Sequence, residues 1–277
     1  MAETPRRRRH PLLRLSSFAA HYDRSVKRRP GEVPLERALS KLGLASRTEA
    51  RVLIRDDRVR VDGRPATDPL APVIPERIRI EIDGRPAERP APVTVLLHKP
   101  RGVVTTRSDP EGRPTVYGCL EGLDAHVVPV GRLDAATTGL LLLTNDTRFA
   151  DWVTDPANAV PRVYLATVRG ELSGATARRL QEGIEEGGEI LSARGVSVRK
   201  RSRRETHLVV EMNEGKNREI RRMLGAAGHE VSRLKRVSFG GLGLGSLEPG
   251  EWRLVSAEEI RAAFPGAPDR SSRTDSR

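Results

Sequence analysis

The segment at residues 130–146, VGRLDAATTGLLLLTND, contains the carboxylate that is best placed for chemistry, Asp134. The four leucines at 140–143 predict a short, fully buried strand. The polar residues before them then have to emerge at the edge of a hydrophobic core. A carboxylate held there on a rigid element is typical of a catalytic group. The alternative is an ordinary loop aspartate that caps a turn or pairs with Arg132.

Three other segments carry side chains that could form a site with Asp134. The first is a loop fixed by proline and glycine, HKPRG at 98–102 followed by DPEGRPTV at 109–116, and its alternative is a rigid connector. The second is a strand at 162–168, in which Tyr164 either packs in the core or stacks on a base. The third is NEGKNREIRRML at 213–224, which predicts a helix. Arg221 borders its apolar stripe, where a half-buried guanidinium needs an anion, unless the helix is only a basic surface.

The composition narrows the class of protein. The chain has 277 residues, with 37% hydrophobic and 31% charged, which predicts a globular core with very polar surroundings. The single cysteine, Cys119, excludes an internal disulfide framework and a Cys-rich zinc site, and it fits a reducing cytoplasm. No apolar run approaches the ~20 residues of a membrane helix. The four arginines at 6–9 precede no apolar stretch, so we expect no secretory signal.

The formal net charge of +12 suggests a polyanionic partner. Residues 1–30 hold nine basic and two acidic side chains and account for +7, residues 266–277 for +1, and residues 31–265 for only +4. Most of the excess charge therefore lies in an arm that we expect to be disordered. Such an arm gives non-specific phosphate affinity, or it serves only as a solubilising extension.

Turn and linker signals divide the chain into five parts: a basic arm at 1–31, a small unit at 32–82, a linker rich in proline and charge at 83–92, a large unit at 93–264 and a tail at 265–277. In the large unit, strand-like and helix-like runs alternate and many turns are short. The predicted fold class is therefore α+β, with a mixed, mainly antiparallel sheet flanked by helices. A basic run at 199–204 is expected at a hairpin tip, either binding phosphates or simply solvated. The glycine-rich run at 240–245 is expected to be a sheet or bulge segment.

The small unit combines helical spacing at 35–42, a stop at Gly43, and a capping box in which Ser46 and Glu49 begin a second helix at about 47–55. An alternating strand before Asp62-Gly63 predicts a hairpin. This pattern resembles the RNA-binding domain of the ribosomal-protein-S-four type. The resemblance implies that the arginines of the second helix and the following strand contact RNA; without it they would form a solvated face.

The four segments of the large unit together resemble the bacterial ribosomal RNA pseudouridine synthases of the branch that acts on small-subunit and large-subunit rRNA. The resemblance covers about residues 33–262. It implies that Asp134 is the nucleophile, that Tyr164 lines the uracil pocket and that Arg221 pairs with Asp134. The chain departs from the family in having Arg162 for a usual lysine and His98 for a frequent asparagine, and both retain hydrogen-bonding ability.

The chemistry of this reaction agrees with the residues available. Uridine isomerisation breaks the N1–C1′ bond, turns the base and makes a C5–C1′ bond, without oxidation or hydrolysis. We therefore expect no cofactor and no metal. The expected partner is ribosomal RNA, and the 109–116 segment favours the large-subunit branch. Small-subunit rRNA, or a non-catalytic RNA-binding or ribosome-assembly role, is the alternative. We expect a cytoplasmic monomer.

Basic side chains in both units are the candidates for RNA contacts. We expect ten of them to bind RNA: Arg47, Arg51, Arg55, Arg58, Arg60, Lys99, Arg101, Arg132, Arg218 and Arg222.

The basic arm yields a prediction about affinity. Deleting residues 1–30 should weaken RNA binding and flatten its salt dependence, because the arm holds most of the net charge. The measurement is the RNA dissociation constant over a series of salt concentrations. An unchanged salt slope after the deletion would contradict the prediction.

Overall fold

The computed structural model describes residues 29–268. The predicted arm at 1–31 and tail at 265–277 lie mostly outside this range. The described residues form a small unit followed by a large one, and the fold is α+β with a mixed, mainly antiparallel sheet, as predicted. No helix within 29–268 is long and apolar enough to cross a membrane.

The small unit packs two helices against short strands. Its elements are β1 (Val33–Pro34), α1 (Leu35–Lys41), α2 (Arg47–Arg55), β2 (Val59–Val61), β3 (Arg64–Pro65), β4 (Pro72–Val73), β5 (Ile80–Ile82) and β6 (Arg85–Pro86). The predicted capping box is confirmed: the Glu49 amide donates to the Ser46 hydroxyl at 3.2 Å, and the Ser46 amide donates to the Glu49 carboxylate at 2.7 Å. These bonds satisfy amides that a helix start leaves unpaired.

The predicted linker at 83–92 begins too early. Asp83 and Gly84 form a hairpin turn with positive φ angles of 54° and 73°, and β6 then pairs with β5. Residues 83–86 therefore complete the small sheet, and only 87–93 have no regular structure before the large unit. The sequence misled here because a tight turn and a linker both favour glycine, proline and charged residues.

The large unit is built on one extended sheet. Its elements are β7 (Thr94–Lys99), β8 (Val128–Pro129), β9 (Thr138–Thr144), α3 (Thr147–Thr154), β10 (Arg162–Arg169), α4 (Gly174–Glu182), β11 (Ile184–Glu186), β12 (Glu189–Leu191), β13 (Gly195–Arg201), β14 (Glu205–Met212), α5 (Glu219–Ala226), β15 (Val231–Phe239), β16 (Leu242–Gly243), β17 (Trp252–Leu254) and α6 (Ala257–Ala263). The main strand order is β13-β14-β10-β15-β9-β7-β17. Only β9 and β15 run parallel among these pairs.

Both faces of this sheet are covered, which explains the leucine tetrad. Leu141 and Leu143 join the core beneath α4 and α5, whereas Leu140 and Leu142 join a second core with Phe149. Since side chains alternate along a strand, a strand buried on both faces can carry apolar residues at consecutive positions. The predicted buried strand is confirmed, with all four leucines 0% exposed.

Several elements of the large unit were not predicted: the short strands β8, β11 and β12, the helix α3 and the long strand β15. The strand β15 is central, yet its sequence, VSRLKRVSF, contains three basic residues and does not look buried. The hairpin tip at 199–204 and the sheet segment at 240–245 are confirmed, because β13 turns at Ser202 into β14 and β16 pairs with β15.

The parallel pairing of β9 and β15 depends on Gly139. Its φ is +105°, and a Cβ atom built there would lie 2.1 Å from the Arg236 carbonyl oxygen. Only glycine allows the two backbones to approach so closely. The start of β9, which follows the Asp134 loop, is thereby held against β15.

Replacing Gly139 by alanine should destabilise the fold by about 3–5 kcal/mol, because backbone strain and overpacking add. The matched control is Gly170→Ala. Gly170 also has a positive φ, +76°, but its Cβ would meet nothing within 4 Å. The control should cost about 1 kcal/mol. Urea unfolding measures the free energy of unfolding of both variants. An equal loss of stability in the two would show that the close approach of the backbones contributes nothing.

Candidate active site

The Asp134 loop connects β8 to β9 and is fixed by hydrogen bonds to the segment that follows β7. The Gly102 amide donates to the Ala135 carbonyl at 2.7 Å, and the Thr105 hydroxyl donates to the Leu133 carbonyl at 2.8 Å. The Thr137 amide donates to the Asp134 carbonyl at 3.0 Å and closes a turn. The half-buried Asp134 side chain therefore projects from a fixed backbone.

Lys99 supports this loop from inside the protein. Its side chain is fully buried, and its ammonium group donates to the Thr137 and Pro100 carbonyls, each at 2.9 Å. Burial lowers the pKa of Lys99 to about 8, while the nearby charges of Cys119 and Asp134 act in the opposite direction. The prediction that Lys99 contacts RNA is wrong, because its ammonium is inaccessible and already bonded.

Tyr164 lies in β10 at the floor of the site. It is 8% exposed, and its neighbours across the sheet are Val210 in β14 and Arg236 in β15. Its ring contributes to the core and also lines the cleft described below. Tyr164 can therefore both pack in the core and offer a surface to a base.

Arg221 reaches the Asp134 loop from α5. Its guanidinium donates to the Val231 carbonyl at 3.0 Å and to the Ala136 carbonyl at 3.3 Å. The expected direct ion pair with Asp134 is not present among the hydrogen bonds and ion pairs of residues 29–268. Burial lowers the pKa of Arg221, and the Asp134 carboxylate is the main opposing influence. Arg221 therefore interacts with Asp134 electrostatically, and it bonds to the same loop through the Ala136 carbonyl.

Asp134, Tyr164 and Arg221 line one cleft of about 360 Å³. These three residues come from a loop, a strand and a helix that are far apart in sequence. The volume falls in the lower part of the range for small-molecule sites. The three candidate catalytic residues are therefore brought together.

The cleft also contains polar side chains that the sequence did not single out as site residues. Arg162 is 6% exposed and Arg236 is 3% exposed, and their guanidinium carbons lie 4.8 Å and 4.7 Å from the Phe239 ring centroid. Glu219, at the start of α5, is 4% exposed. The sequence did contain a signal for these residues, because a charged residue within a mostly apolar element indicates a buried partner or a function.

Three of the predicted RNA-binding arginines hydrogen-bond to acidic side chains within the protein, and a fourth, Arg55, forms an ion pair with the adjacent Asp56 at 3.5 Å. Each pair involves the guanidinium and one or two carboxylates: Arg51 with Glu36, Arg58 with Asp83 at 2.6 and 2.7 Å, and Arg222 with Glu186 at 2.6 Å and Glu189 at 2.8 Å. These carboxylates offset the positive charge locally, and RNA contact by these arginines stays a prediction. Spacing along the sequence could not reveal partners that come from other elements of the fold.

The remaining predicted contacts are exposed. Arg101 and Arg132 flank the Asp134 loop, and Arg218 precedes α5 with a φ of +51°. Arg47, Arg55 and Arg60 are exposed on the small unit. Within the described part of the chain, no group of three or more His, Cys, Asp or Glu side chains is placed to hold a metal ion.

Comparison with protein families matches both units. Residues 93–226 match the family model for RNA pseudouridylate synthase, and residues 33–73 match the S4 domain. A crystal structure of a pseudouridylate synthase superposes with a TM-score of 0.58 and 26% sequence identity, covering 83% of this chain and 98% of that one.

Two relatives of known sequence agree with this match. Ribosomal large subunit pseudouridine synthase B of Bacillus subtilis (strain 168) is 35% identical, over 82% of this chain and 93% of the relative. An uncharacterized RNA pseudouridine synthase of Mycobacterium tuberculosis (strain ATCC 25618 / H37Rv) is 38% identical, over 84% of this chain and 93% of the relative.

The fold and the cleft define an RNA-modifying isomerase that carries a separate RNA-binding S4 domain. The chain belongs to the RNA pseudouridylate synthase family, and it is a pseudouridine synthase.

The buried ammonium of Lys99 predicts a pH effect on stability. Its folded pKa of about 8 lies below the ordinary 10.5, so between these values the unfolded chain binds more protons and folding becomes more favourable as pH rises. The unfolding free energy of the wild type should therefore gain about 1–3 kcal/mol relative to Lys99→Met between about pH 7.5 and pH 10.

Urea unfolding at both pH values measures this difference. The control is Lys200→Met, which removes an exposed lysine of β13 without changing a buried site. A difference between the wild type and Lys99→Met that does not vary with pH would show that Lys99 keeps an ordinary pKa.

Proposed function

We propose that this enzyme converts uridine to pseudouridine in ribosomal RNA, in the large subunit, with Asp134 as the nucleophile. The observation that carries the proposal is the meeting of Asp134, Tyr164 and Arg221 in one cleft. The small unit with its S4 domain supplies a second RNA-binding surface.

The reaction requires an ionised carboxylate beside the ribose and the base. The N1–C1′ bond breaks, the detached uracil turns, C5 bonds to C1′, and the C5 proton is lost while N1 gains one. Whether attack falls on the sugar or on the base, Asp134 must be deprotonated. Arg221 lies close enough to Asp134 for the two charges to attract each other.

Tyr164 and the cleft walls keep the detached base in place. A uridine has to be flipped out of its RNA stack to reach Asp134, which costs a few kcal/mol, and stacking on an aromatic ring recovers part of that cost. The buried ring of Tyr164 provides such a surface. The exposed arginines around the cleft, Arg101, Arg132 and Arg218, are suited to the flanking phosphates.

The choice of ribosomal RNA rests on the relatives. Those of Bacillus subtilis (strain 168) and Pasteurella multocida (strain Pm70) are named ribosomal large subunit pseudouridine synthase B, and they are 35% and 36% identical to this chain. The 109–116 segment of this sequence favours the same branch. Arg47, Arg55 and Arg60 would hold the RNA at a distance from the cleft.

Asp134→Asn should abolish pseudouridine formation while RNA binding largely survives, because the change removes the nucleophile and keeps the side-chain volume. Tritium release from rRNA labelled at C5 of uridine measures turnover, and a filter-binding assay measures affinity. Asp124→Asn is the matched control, since Asp124 is an exposed loop aspartate. Full turnover by the Asp134 variant would overturn the assignment of the nucleophile.

Mapping tests the choice of RNA. Pseudouridines are compared in rRNA from a strain with and without this protein, and one position in large-subunit rRNA should lose its modification. Loss of a pseudouridine from small-subunit rRNA, or from another RNA, would overturn the large-subunit proposal. The role of Asp134 would still be tested separately by tritium release.

A further inference from the structure

The cleft contains most of the buried polar atoms that lack hydrogen-bond partners in the described part of the chain. There are four such side-chain atoms, and three of them, Glu219 Oε1, Arg221 Nε and Arg236 Nη2, belong to residues that line the cleft. An unpaired buried polar group destabilises the folded protein, so such groups call for an explanation. A polar ligand in the cleft would supply the missing partners.

Glu219 is the acceptor in this set. Its Oε2 atom accepts a hydrogen bond from the Lys216 amide at 3.1 Å, which fixes the orientation of the carboxyl group and leaves Oε1 for another partner. The charged groups that face it are Glu214 and Lys216 on the preceding loop and Arg162 on β10. Glu219 lines the cleft from the start of α5, whereas Asp134 lines it from the loop before β9.

Glu219 exchanges its proton near neutral pH. Burial raises the pKa of Glu219 to about 7, and the neighbouring Glu214 is the second cause. When protonated, Glu219 can donate its hydroxyl hydrogen to Glu214. When ionised, its Oε1 atom needs a donor, and a donor from the ligand would favour this ionised form.

Uracil has a donor in the required place. Turning the detached base by half a revolution about the axis through C6 and N3 exchanges N1 with C5 and O2 with O4. The N3–H group lies on this axis, so its position is the same before and after the turn. C6 faces the reacting centre, and N3–H therefore points to the opposite wall of the cleft.

We propose that Oε1 of Glu219 accepts a hydrogen bond from N3–H of the flipped uracil, and that Glu219 thereby holds the base on its axis of rotation and selects uridine over cytidine. This role rests on the proposed function, in which a flipped uridine enters the cleft. Cytosine carries a lone pair at N3, which an ionised carboxylate repels. Asp134 performs the chemistry, and Glu219 determines which base is accepted.

The test compares binding of two RNA fragments. The first fragment contains the uridine that loses its modification in a strain lacking this protein, and it is taken from the RNA in which that uridine is found. The second fragment is identical except that it has cytidine at that position. All proteins carry Asp134→Asn to suppress turnover. The second substitution is Glu219→Gln, with Glu214→Gln as the matched control, because Glu214 is the adjacent carboxylate and pairs with Lys216 at 2.9 Å.

With Glu219 intact, we expect uridine to bind more tightly than cytidine. In Glu219→Gln the amide oxygen keeps the bond from the Lys216 amide, so the amide nitrogen replaces Oε1. The new donor opposes N3–H and suits N3 of cytosine, and the preference should fall by roughly tenfold to a hundredfold. At about pH 8.5, where Glu219 is mostly ionised with or without Glu214 beside it, Glu214→Gln should change the preference by less than about threefold.

A second measurement does not depend on the stability of a variant. With Glu219 intact, the preference for uridine should increase as pH rises through about 7, because only the ionised carboxylate accepts from N3–H. An unchanged preference in Glu219→Gln, a loss in Glu214→Gln instead, or a preference that does not vary with pH would overturn the proposal.

The same experiment separates this proposal from the proposed function. Pseudouridine in the recovered fragment would refute Asp134 as the nucleophile, and the mapped position would refute or support large-subunit rRNA. Neither result alters the comparison of uridine with cytidine, because pseudouridine keeps the same N3–H group.

Discussion

The active site depends on two buried cations that bind backbone carbonyl groups on either side of Gly139. In the sheet, Gly139 lies between Lys99 of β7 and Arg236 of β15. Lys99 donates to the Thr137 carbonyl at 2.9 Å, and Arg236 donates through Nε to the Leu140 carbonyl at 2.7 Å. Charge-assisted hydrogen bonds inside a protein are strong, and their loss leaves buried charge unpaired. They fix where β9 begins, and so where Asp134 projects.

This arrangement fixes the position of Asp134 without occupying its carboxylate oxygens. Neither Lys99 nor Arg221 makes a direct ion pair with Asp134 within the described residues, although each lies close enough for mutual electrostatic influence. A direct ion pair would occupy the oxygens that the proposed mechanism uses to attack the substrate. Cations bound to neighbouring carbonyls leave those oxygens available.

Local patterns predicted much of the fold and failed at particular places. The leucines of β9 and the capping box at Ser46 were correct, because periodicity and caps are properties of a few adjacent residues. The strand β15 was missed because Arg236 makes it look exposed, whereas its guanidinium is buried beside Phe239. The predicted linker began too early because Asp83 and Gly84 form the turn between β5 and β6, which pair with each other.

The sequence by itself determined the chemical groups: an aspartate before a buried strand, a strand tyrosine and a helix arginine, in motifs specific enough to indicate the family. The tertiary structure decided which of those groups meet and which are buried or paired. Lys99 is a buried support and not an RNA contact, Arg221 bonds to carbonyls and not to Asp134, and Glu219 faces the cleft with an unpaired oxygen. The physical reason is that burial and pairing depend on residues distant in sequence, whereas a motif specifies only near neighbours.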